Sequence, residues 1–495
     1  MFYHLSNWVI QTPNSNARTI KSNNDIFQEM ELIPTQKTGI IFRVNDLADK
    51  NLLELAQIAH GIPQHIRQIV VVNDNLQTTE DCLASLWGLL SYLPPWINKL
   101  DISAPALYSE SWKLFVKLIA QLPNTVSALS FGCNALNSSD CDNGPLDNPL
   151  ICSELTRSIP ASVNHLSIRC TAKHLYTLIT GLFRHQKNHI TSLDISENKL
   201  TAECIMRLTH LFSHPHTIDT LDLSQCRLEG IPSDILARFF ETLHGKVTNL
   251  KLNYNRLIEY TVFDFNSSVH PMVTNFRSYD EIHHQFSFFS RLKMLGLAGL
   301  QLGFENPNVS ATIFGLLGYY GNQLEELDLS SNDFSMNTHV LLPNLKRLPA
   351  SLYKLNLSFN RLDAFSDQEL IALLLALPQN IKILDLSNNN LLTVRFLLLL
   401  QNNRVSHIAL TTLIFSETSF ENLSTDIQNA ITSFAHPTLQ CFEIGDKFII
   451  GAPKSPVSLP TNTDLMFFSA SQGVNPPIPA EYAYKYSTDI QHSPR

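Results

Sequence analysis

The amino-acid sequence predicts an α/β solenoid of about 12 coils, with parallel strands along a concave face and helices covering the convex face. Three observations predict this fold class. An apolar frame, L-x-x-L-x-L-x-x-N-x-L, recurs along the chain, most copies lie 28 to 29 residues apart, and the residues between copies have helical patterns. Such self-similarity is typical of repeat proteins, in which each repeat forms one coil that packs on its neighbours.

The frame recurs twelve times. Successive starts are 31, 29, 37, 27, 28, 29, 45, 32, 28, 29 and 24 residues apart, so two insertions interrupt a period of 28 to 29 residues. The strongest copies begin at Ile190, Ile218, Val247, Leu324, Leu352 and Ile381. The weaker copies begin at Ile66, Ile97, Val126, Val163, Leu292 and Val405.

Each frame predicts a short strand followed at once by a tight turn. The apolar positions four and six face the core, and the residues between them face the concave side. The backbone of the turn lies between coils, where an asparagine side chain can bond otherwise unpaired amide and carbonyl groups. Cys226 and Thr171 replace the asparagine in two copies, and Leu413 holds its place in the last copy. The predicted structural asparagine ladder is Asn134, Asn198, Asn255, Asn332, Asn360 and Asn389.

The residues after each turn predict a helix on the convex side. In "FSDQELIALLLALP", Ser366 and Glu369 have capping-box spacing, and in "IPSDILARFFETLHGK" Ser233 is the predicted N-cap and Gly245 the stop. Prolines three residues before the frame then end the helices. These features resemble the long, ribonuclease-inhibitor-like type of leucine-rich repeat, and this resemblance implies a horseshoe-shaped solenoid.

The places where the frame fails predict the domain boundaries. We expect an N-terminal cap with a degenerate first coil over residues 1–65, and the solenoid over 66–415 with an insertion near 258–291. Residues 416–450 are the predicted C-terminal cap, in which "TLQCFEIGDKFII" closes the open edge of the sheet. The tail 451–495 carries seven prolines and little periodicity, so we expect it to be extended or disordered.

The composition predicts a soluble protein of a reducing compartment without cofactor, metal or catalytic residues. The formal charge of −9 disfavours nucleic-acid binding, and no apolar run approaches the roughly 20 residues of a membrane helix. The N-terminus lacks the basic start and apolar core of a secretory signal, and the eight cysteines form no CxxC pair. His210, His214 and His216 end a predicted helix, and we interpret them as surface residues.

Charged residues recur at the frame positions that face the concave side. Nine are acidic and seven are basic, which predicts a patterned surface for a protein partner. The alternative interpretation is that the aspartates of the "LDLS" consensus only keep the sheet soluble. The predicted partner-binding residues on this face are Asp194, Glu197, Asp219, Asp222, Lys251, Lys293, Glu325, Glu326, Asp328 and Lys354.

The insertion before Leu292 is rich in aromatic residues, which are typical anchors of protein interfaces. We therefore predict that Phe288 and Phe289 also bind the partner. The alternative is that they pack inside an ordinary coil, because "YDEIHHQFSFFS" has helical spacing.

The repeats have the form "LPxxLxxLDLSxNxL" in an asparagine-rich, glycine-poor chain with irregular repeat lengths. In this they resemble translocated effectors of Legionella and related intracellular bacteria. The resemblance implies export into the host-cell cytoplasm without a cleavable signal, and non-catalytic binding of a host protein through the concave face. An alternative is a GTPase activator similar to the Ran GTPase-activating protein, to which Arg67 or Arg169 would supply the arginine. The sequence carries no signal of oligomeric state.

Overall fold

In the residues described below, the computed structural model contains one open sheet of 15 strands, β1 to β15, in which strands that follow one another in sequence are neighbours. Strands β1 to β14 run parallel, and β15 pairs antiparallel with β14. The predicted α/β solenoid is therefore confirmed. The structure describes residues 39–43, 47, 50–72, 80–104, 111–133, 149–170, 172–185, 189–215, 218–255, 287–303, 307–336, 338–401, 410–415, 420–432, 434, 439–445 and 447–450.

Each turn of the solenoid adds one strand to the concave side. The strands are Gly39–Arg43 (β1), Gln68–Val72 (β2), Lys99–Ala104 (β3), Ala128–Cys133 (β4), His165–Arg169 (β5), Ser192–Asp194 (β6), Thr220–Asp222 (β7), Asn249–Lys251 (β8), Met294–Gly296 (β9), Glu326–Asp328 (β10), Lys354–Asn356 (β11), Ile383–Asp385 (β12), Thr412–Phe415 (β13), Cys441–Ile444 (β14) and Lys447–Ile450 (β15).

Helices return the chain along the convex side. The α-helices in the described part are Leu52–His60 (α1), Glu80–Ser91 (α2), Ser111–Ala120 (α3), Pro149–Ser158 (α4), Ala172–Arg184 (α5), Ala202–Ser213 (α6), Ser233–Leu243 (α7), Pro307–Tyr320 (α8), Thr338–Leu345 (α9), Asp367–Ala376 (α10), Val394–Gln401 (α11) and Thr425–Thr432 (α12). Short 3₁₀ helices span Leu228–Gly230, Ser287–Arg291, Phe334–Met336, Leu362–Ala364 and Phe420–Asn422.

The apolar frame sets the pairing of the strands. Leu193 at position four pairs with Leu221, and Leu221 pairs with Leu250, so equivalent leucines stack along the array. They are fully buried and belong to one continuous core between the sheet and the helices. A shift of one residue would move this entire set to the concave side, so the frame specifies the register strongly.

The helix starts follow local hydrogen bonding. Before α10, the Ser366 hydroxyl accepts the Glu369 amide N–H at 3.3 Å, and the Ser366 amide donates to the Glu369 carboxylate at 2.9 Å. This is the predicted capping box. Ser233 is the first helical residue of α7 rather than its N-cap, because Pro232 stands in the N-cap place.

The prediction that the last frame starts at Val405 is wrong. Leu413 pairs with Leu384, which holds position four of its own frame, so the last predicted coil starts at Leu410, 29 residues after Ile381. Leu413 is thus a fully buried core residue of β13 and does not hold the asparagine place. Apolar residues at 405, 408 and 410 match the start of the frame, but the pairing of Leu413 with Leu384 gives the register.

The parallel array extends beyond the twelve predicted frames, because β1 and β14 lie within the segments predicted as caps. Strand β1 pairs with β2 at a spacing of 29 residues, from Gly39 to Gln68. The tail 451–495 and the first 38 residues lie outside the described residues.

Candidate functional site

The turn after most of the central strands is built around a buried asparagine. In the coil that starts at Leu324, the Asn332 amide group donates to the carbonyl oxygens of Leu297 and Leu329, both at 2.9 Å. Its side-chain oxygen accepts the amide N–H of Leu300 at 3.0 Å, so one side chain bonds to two successive coils. Asn332 has no exposed surface, so these are bonds that water cannot replace.

The same arrangement recurs in the neighbouring coils. Asn198, Asn255, Asn360 and Asn389 are also fully buried, and each donates to carbonyl groups of its own coil and of the preceding coil at 2.7 to 3.0 Å. The fold is a leucine-rich repeat solenoid. Asn134 and Thr171 lie outside the described residues.

Cys226 stands in the asparagine place of one leucine-rich repeat. Its thiol donates to the carbonyl oxygen of Ile195 at 3.2 Å, which is the bond to the preceding coil that an asparagine makes elsewhere. Burial raises the pKa of this thiol well above its usual value, so it stays protonated and can donate.

Sequence reasoning missed that the turns use left-handed backbone at positions eight and ten of the frame. At these places φ lies between 48° and 61° in residues other than glycine, which favours glycine or asparagine and is unfavourable for bulky residues. The signal in the sequence is Gly299 at position eight, with φ of 64°, and asparagine at two equivalent places. Position eight holds Glu197, Gln225, Tyr254, Ser331, Phe359 and Asn388, and position ten holds Arg227, Gln301, Asp333, Arg361 and Asn390.

The aspartates of the "LDLS" consensus have a local structural role. Position five carries a carboxylate or amide oxygen that accepts the amide N–H two residues later, at 2.9 to 3.0 Å. This turns the chain out of the strand. The residues that do so are Asp194, Asp222, Asp328, Asn356 and Asp385. The structure therefore favours a turn function for these aspartates over the solubility function.

Ion pairs between adjacent coils use much of the remaining charge. Lys251 lies 3.0 Å from Asp222, and although burial opposes its ionisation, that carboxylate raises its pKa above the usual value. Lys354 lies 2.8 Å from Glu326. Burial opposes ionisation of Glu326, but the hydrogen bond and charge of Lys354 outweigh it and lower the pKa of this carboxyl. The strands form the floor of the concave face. Most charged groups of this floor are thus paired with other groups of the chain itself.

The structure places the predicted partner-binding residues at different depths. Asp328 and Lys354 are buried in the floor, with 5% and 9% of their surface exposed, so a partner reaches little of them. Asp194, Asp222, Lys251, Glu325 and Glu326 are half-buried. Glu197, Asp219 and Lys293 are exposed.

The exposed groups lie along two rims. The leading rim is formed by position two, where the strands begin, and includes Asp219, Lys293 and Lys382. The turn rim is formed by positions eight and ten, where the strands end, and includes Glu197 and Phe359. Phe359 has 43% of its surface exposed and is the one exposed large apolar residue at the turn rim in the described part.

The aromatic insertion lies mostly outside the described residues, which resume at Ser287. Phe289 lies in a 3₁₀ helix and is buried in the core, with 7% of its surface exposed. The structure therefore places Phe289 in the packing of a coil and not on the predicted binding surface. The side chain of Phe288 lies outside the described part.

Two residues before the insertion fold across the next coil. The Asn253 side-chain oxygen accepts the amide N–H of Ala298 at 2.9 Å, and the Tyr254 hydroxyl lies 3.1 Å from the Ser331 hydroxyl, two coils away. Gly299 allows this, because a Cβ atom there would lie 2.2 Å from the Tyr254 ring. The chain that leads into the insertion is thereby fixed at the turn rim.

Both arginines of the GTPase-activator alternative contact groups of the chain itself. The Arg67 guanidinium donates to the Gln64 carbonyl and, at 3.3 Å, to the Ile66 carbonyl. Arg169 lies 3.6 Å from the Glu197 carboxylate.

The described residues contain no group of three His, Cys, Asp or Glu side chains arranged to hold a metal ion. His210 and His214 contact each other at the end of α6, with ring centroids 5.1 Å apart, and His216 lies outside the described part. None of the helices in this part has the length and apolar character to cross a membrane.

No family model matches the sequence. The chain is 22% identical over 273 residues to Toll-like receptor 2 of Bos indicus, and 23% identical over 272 residues to that of Bubalus bubalis. These matches cover 50% of this chain and 34% of each receptor, so the chain spans about a third of the length of these relatives.

Two solved structures are similar in fold. The leucine-rich repeat-containing protein LegL7 from Legionella pneumophila has a TM-score of 0.40 and 19% identity, covering 73% of this chain and 88% of that protein. The complex of Rad7 and Elc1 in yeast has a TM-score of 0.33 and 13% identity, covering 76% of this chain and 84% of the matched chain.

Proposed function

We propose that the chain is a non-catalytic protein-interaction module whose concave leucine-rich repeat face binds one protein partner. The observation that supports this most directly is the two rims of exposed charged and apolar residues on either side of a floor most of whose polar groups are already bonded. Fourteen parallel strands at about 4.8 Å spacing give a face about 60 Å long, which is enough for a globular domain.

The bonded floor makes this surface suited to binding. Inter-coil ion pairs and turn bonds fix the floor before a partner arrives, so little side-chain entropy remains to be lost there. The rims then supply contacts of both charge signs, through Asp219 and Glu197 on one hand and Lys293 on the other. Complementary charge patterns act mainly on specificity and association rate.

We further propose that the partner is a host protein and that the chain acts as a translocated effector in virulence. This rests on the sequence resemblance of the repeats to effectors of intracellular bacteria. The activator alternative requires an arginine free to reach a bound GTPase. Since Arg169 lies against Glu197 and Arg67 against its own loop, binding is the better supported function.

Affinity capture from a eukaryotic lysate followed by mass spectrometry tests the proposal. The wild-type chain should retain one protein, and the Glu197→Lys, Asp219→Lys double variant should lose it, because both exposed carboxylates lie on adjacent coils of the concave face. The matched control reverses Glu203 and Glu241, which are exposed on the convex helices α6 and α7. Equal loss in both variants, or no specific retention by the wild type, would contradict the proposal.

A further inference from the structure

A second candidate surface lies on the outside of the solenoid, at the end of α2. Trp87 and Tyr92 have 41% and 43% of their surface exposed, although aromatic side chains of this size gain most from burial. Six of the ten exposed large apolar residues in the described part lie in or next to α1 to α4. We call Trp87 and Tyr92, with the adjoining His60, the α2 aromatic edge.

Contacts to both neighbouring coils hold the two exposed rings. The Trp87 indole N–H donates to the side-chain oxygen of Gln121, which follows α3. The Tyr92 ring contacts the ring of His60, the last residue of α1, with centroids 6.2 Å apart. The α2 aromatic edge therefore extends across the ends of three successive helices, which lie about 8–10 Å apart when packed side by side.

Exposed Trp and Tyr rings suit a ligand of one particular chemistry. Segments with the pattern P-x-x-P favour the polyproline II conformation and dock on surfaces lined by aromatic rings, because little conformational entropy is lost on binding. Residues three apart in such a segment lie about 9 Å apart, so the two prolines of one segment can contact separate rings.

The chain itself carries such segments beyond β15. The tail 451–495 contains P-x-x-P at Pro453 to Pro456 and again at Pro476 to Pro479, within "VNPPIPAEY". Neither segment belongs to the repeat frame, and the proposed function uses neither.

The point where the tail leaves the solenoid allows it to reach this edge. Ile450 at the end of β15 pairs with Cys441, the first residue of β14, so the tail departs where the strands begin. The end of α2 lies on the same side, because the chain passes from Tyr92 to the start of β3 within seven residues. Twelve strand steps of about 4.8 Å separate β15, from which the tail departs, from β3, or about 58 Å. The 23 residues 451–473 span up to about 76 Å when extended, which covers this distance.

We propose that the α2 aromatic edge binds the P-x-x-P segment around Pro476 and Pro479 of the chain's own tail. The rings of Trp87 and Tyr92 receive the prolines, and the tail runs along the side of the solenoid on which the strands begin. The surface is separate from the concave face, so this assignment does not depend on the proposed function.

Limited trypsin digestion of the full chain tests the assignment. Docking should slow cleavage after Lys485, close to Pro479, relative to cleavage after Lys454 in the same molecule. The Trp87→Ser, Tyr92→Ser double variant should restore cleavage at Lys485 by about tenfold if roughly nine-tenths of the molecules are docked, since cleavage follows the free fraction. Tyr319→Ser is the matched control, because Tyr319 is 65% exposed on α8 and should change nothing.

A second variant separates docking from folding. Pro476→Ala with Pro479→Ala leaves the solenoid untouched and should accelerate cleavage at Lys485 as much as the aromatic variant does. An excess of synthetic peptide 472–483 should have the same effect on the wild type. Equal cleavage rates in the wild type and the proline variant would overturn the assignment. Protection that rises with protein concentration would also overturn it, because the tail would then bind a second copy.

Discussion

Two regions of the solenoid share one core frame but leave the sheet in different ways. Strands β1 to β5 contain five or six residues, whereas β6 to β12 contain three. We refer to them as the early coils and the asparagine coils, because the described asparagine bonds and the left-handed turns occur from Glu197 onward. The apolar positions of both regions are equally buried.

The difference shows how the same backbone groups find partners in two ways. In the early coils the chain stays extended for two or three more residues, and the strand ladder pairs its amides, as between Phe131 and Ile168. In the asparagine coils the chain turns left-handed at position eight, and a side chain bonds the groups that the turn leaves between coils. The asparagine is therefore required by the left-handed turn that follows a short strand, and not by the apolar core.

Of the changes considered, removing a ladder asparagine from the asparagine coils should change the stability most. Asn332→Leu deprives the carbonyl groups of Leu297 and Leu329 and the amide of Leu300 of their partners. A buried polar group without a partner costs about 1–3 kcal/mol, so the thermal midpoint should fall clearly. Asn322→Leu, at an exposed asparagine after α8, is the control. An unchanged midpoint for Asn332→Leu would show that water replaces these bonds.

Placing an asparagine at Cys226, where the ladder lacks one, should increase the stability of the protein. Cys226→Asn supplies a side-chain oxygen where the structure has a thiol, and it would accept the amide of Asn198, as Asn360 accepts that of Asn332 at 2.8 Å. We expect a gain of about 1 kcal/mol for the added hydrogen bond. Cys226→Ala removes the bond to Ile195 and should destabilise. Urea unfolding of the two variants checks the prediction, and destabilisation by both would contradict it.

Substitution of an exposed residue by glycine should have opposite effects on stability in the two regions. Arg227 is exposed with φ of 56°, so Arg227→Gly relieves a left-handed side chain and should stabilise by about 0.5–1 kcal/mol. Lys99 is exposed in the extended strand β3, where Lys99→Gly should destabilise by about 0.5–1 kcal/mol. Chemical unfolding measures both, and the same sign for both would argue against the two turn types.

The smallest expected effect concerns pH. Burial raises the pKa of Asp385 despite its hydrogen bonds with Ser387. The free energy of unfolding therefore decreases as the pH rises from the ordinary carboxyl pKa through this raised pKa, because the native state must then bury the charged carboxylate. Asp385→Asn should therefore stabilise at neutral pH and bring no gain below the ordinary carboxyl pKa of about 4. Asn356 already fills the same place in the preceding coil and accepts the Ser358 amide at 2.9 Å. Thermal midpoints across this pH range check it, and a gain that persists in acid would contradict it.

The sequence predicts the parts of the fold that repeat. Leucines at constant spacing predict the strand register, and Ser366 with Glu369 predicts a helix start, because both depend on local or periodic chemistry. The left-handed turns were missed because residues as different as Glu197 and Phe359 occupy them. Their backbone conformation is imposed by bonds to the neighbouring coils.

The candidate site was less predictable than the fold. The frame places Asp328 and Lys354 on the concave face correctly, but it does not show that adjacent coils bury them. Burial there depends on how closely the coils approach, and on partners such as Glu326 that lie a full period away in sequence. The frame also placed Asp219 and Lys293 on this face, but that they stay exposed could be seen only in the three-dimensional structure.

Strand β15 has a consequence for how copies of this protein meet one another. A stack of parallel strands in constant register presents, at its last member, a template on which the first strand of another molecule can continue the stack into a fibre. Here the last member runs backwards, from Lys447 to Ile450. Its backbone has the opposite chain direction to every strand before it, so an incoming β1 cannot continue the parallel ladder on it. A single reversed strand of four residues thus interrupts the parallel order at this edge of the sheet.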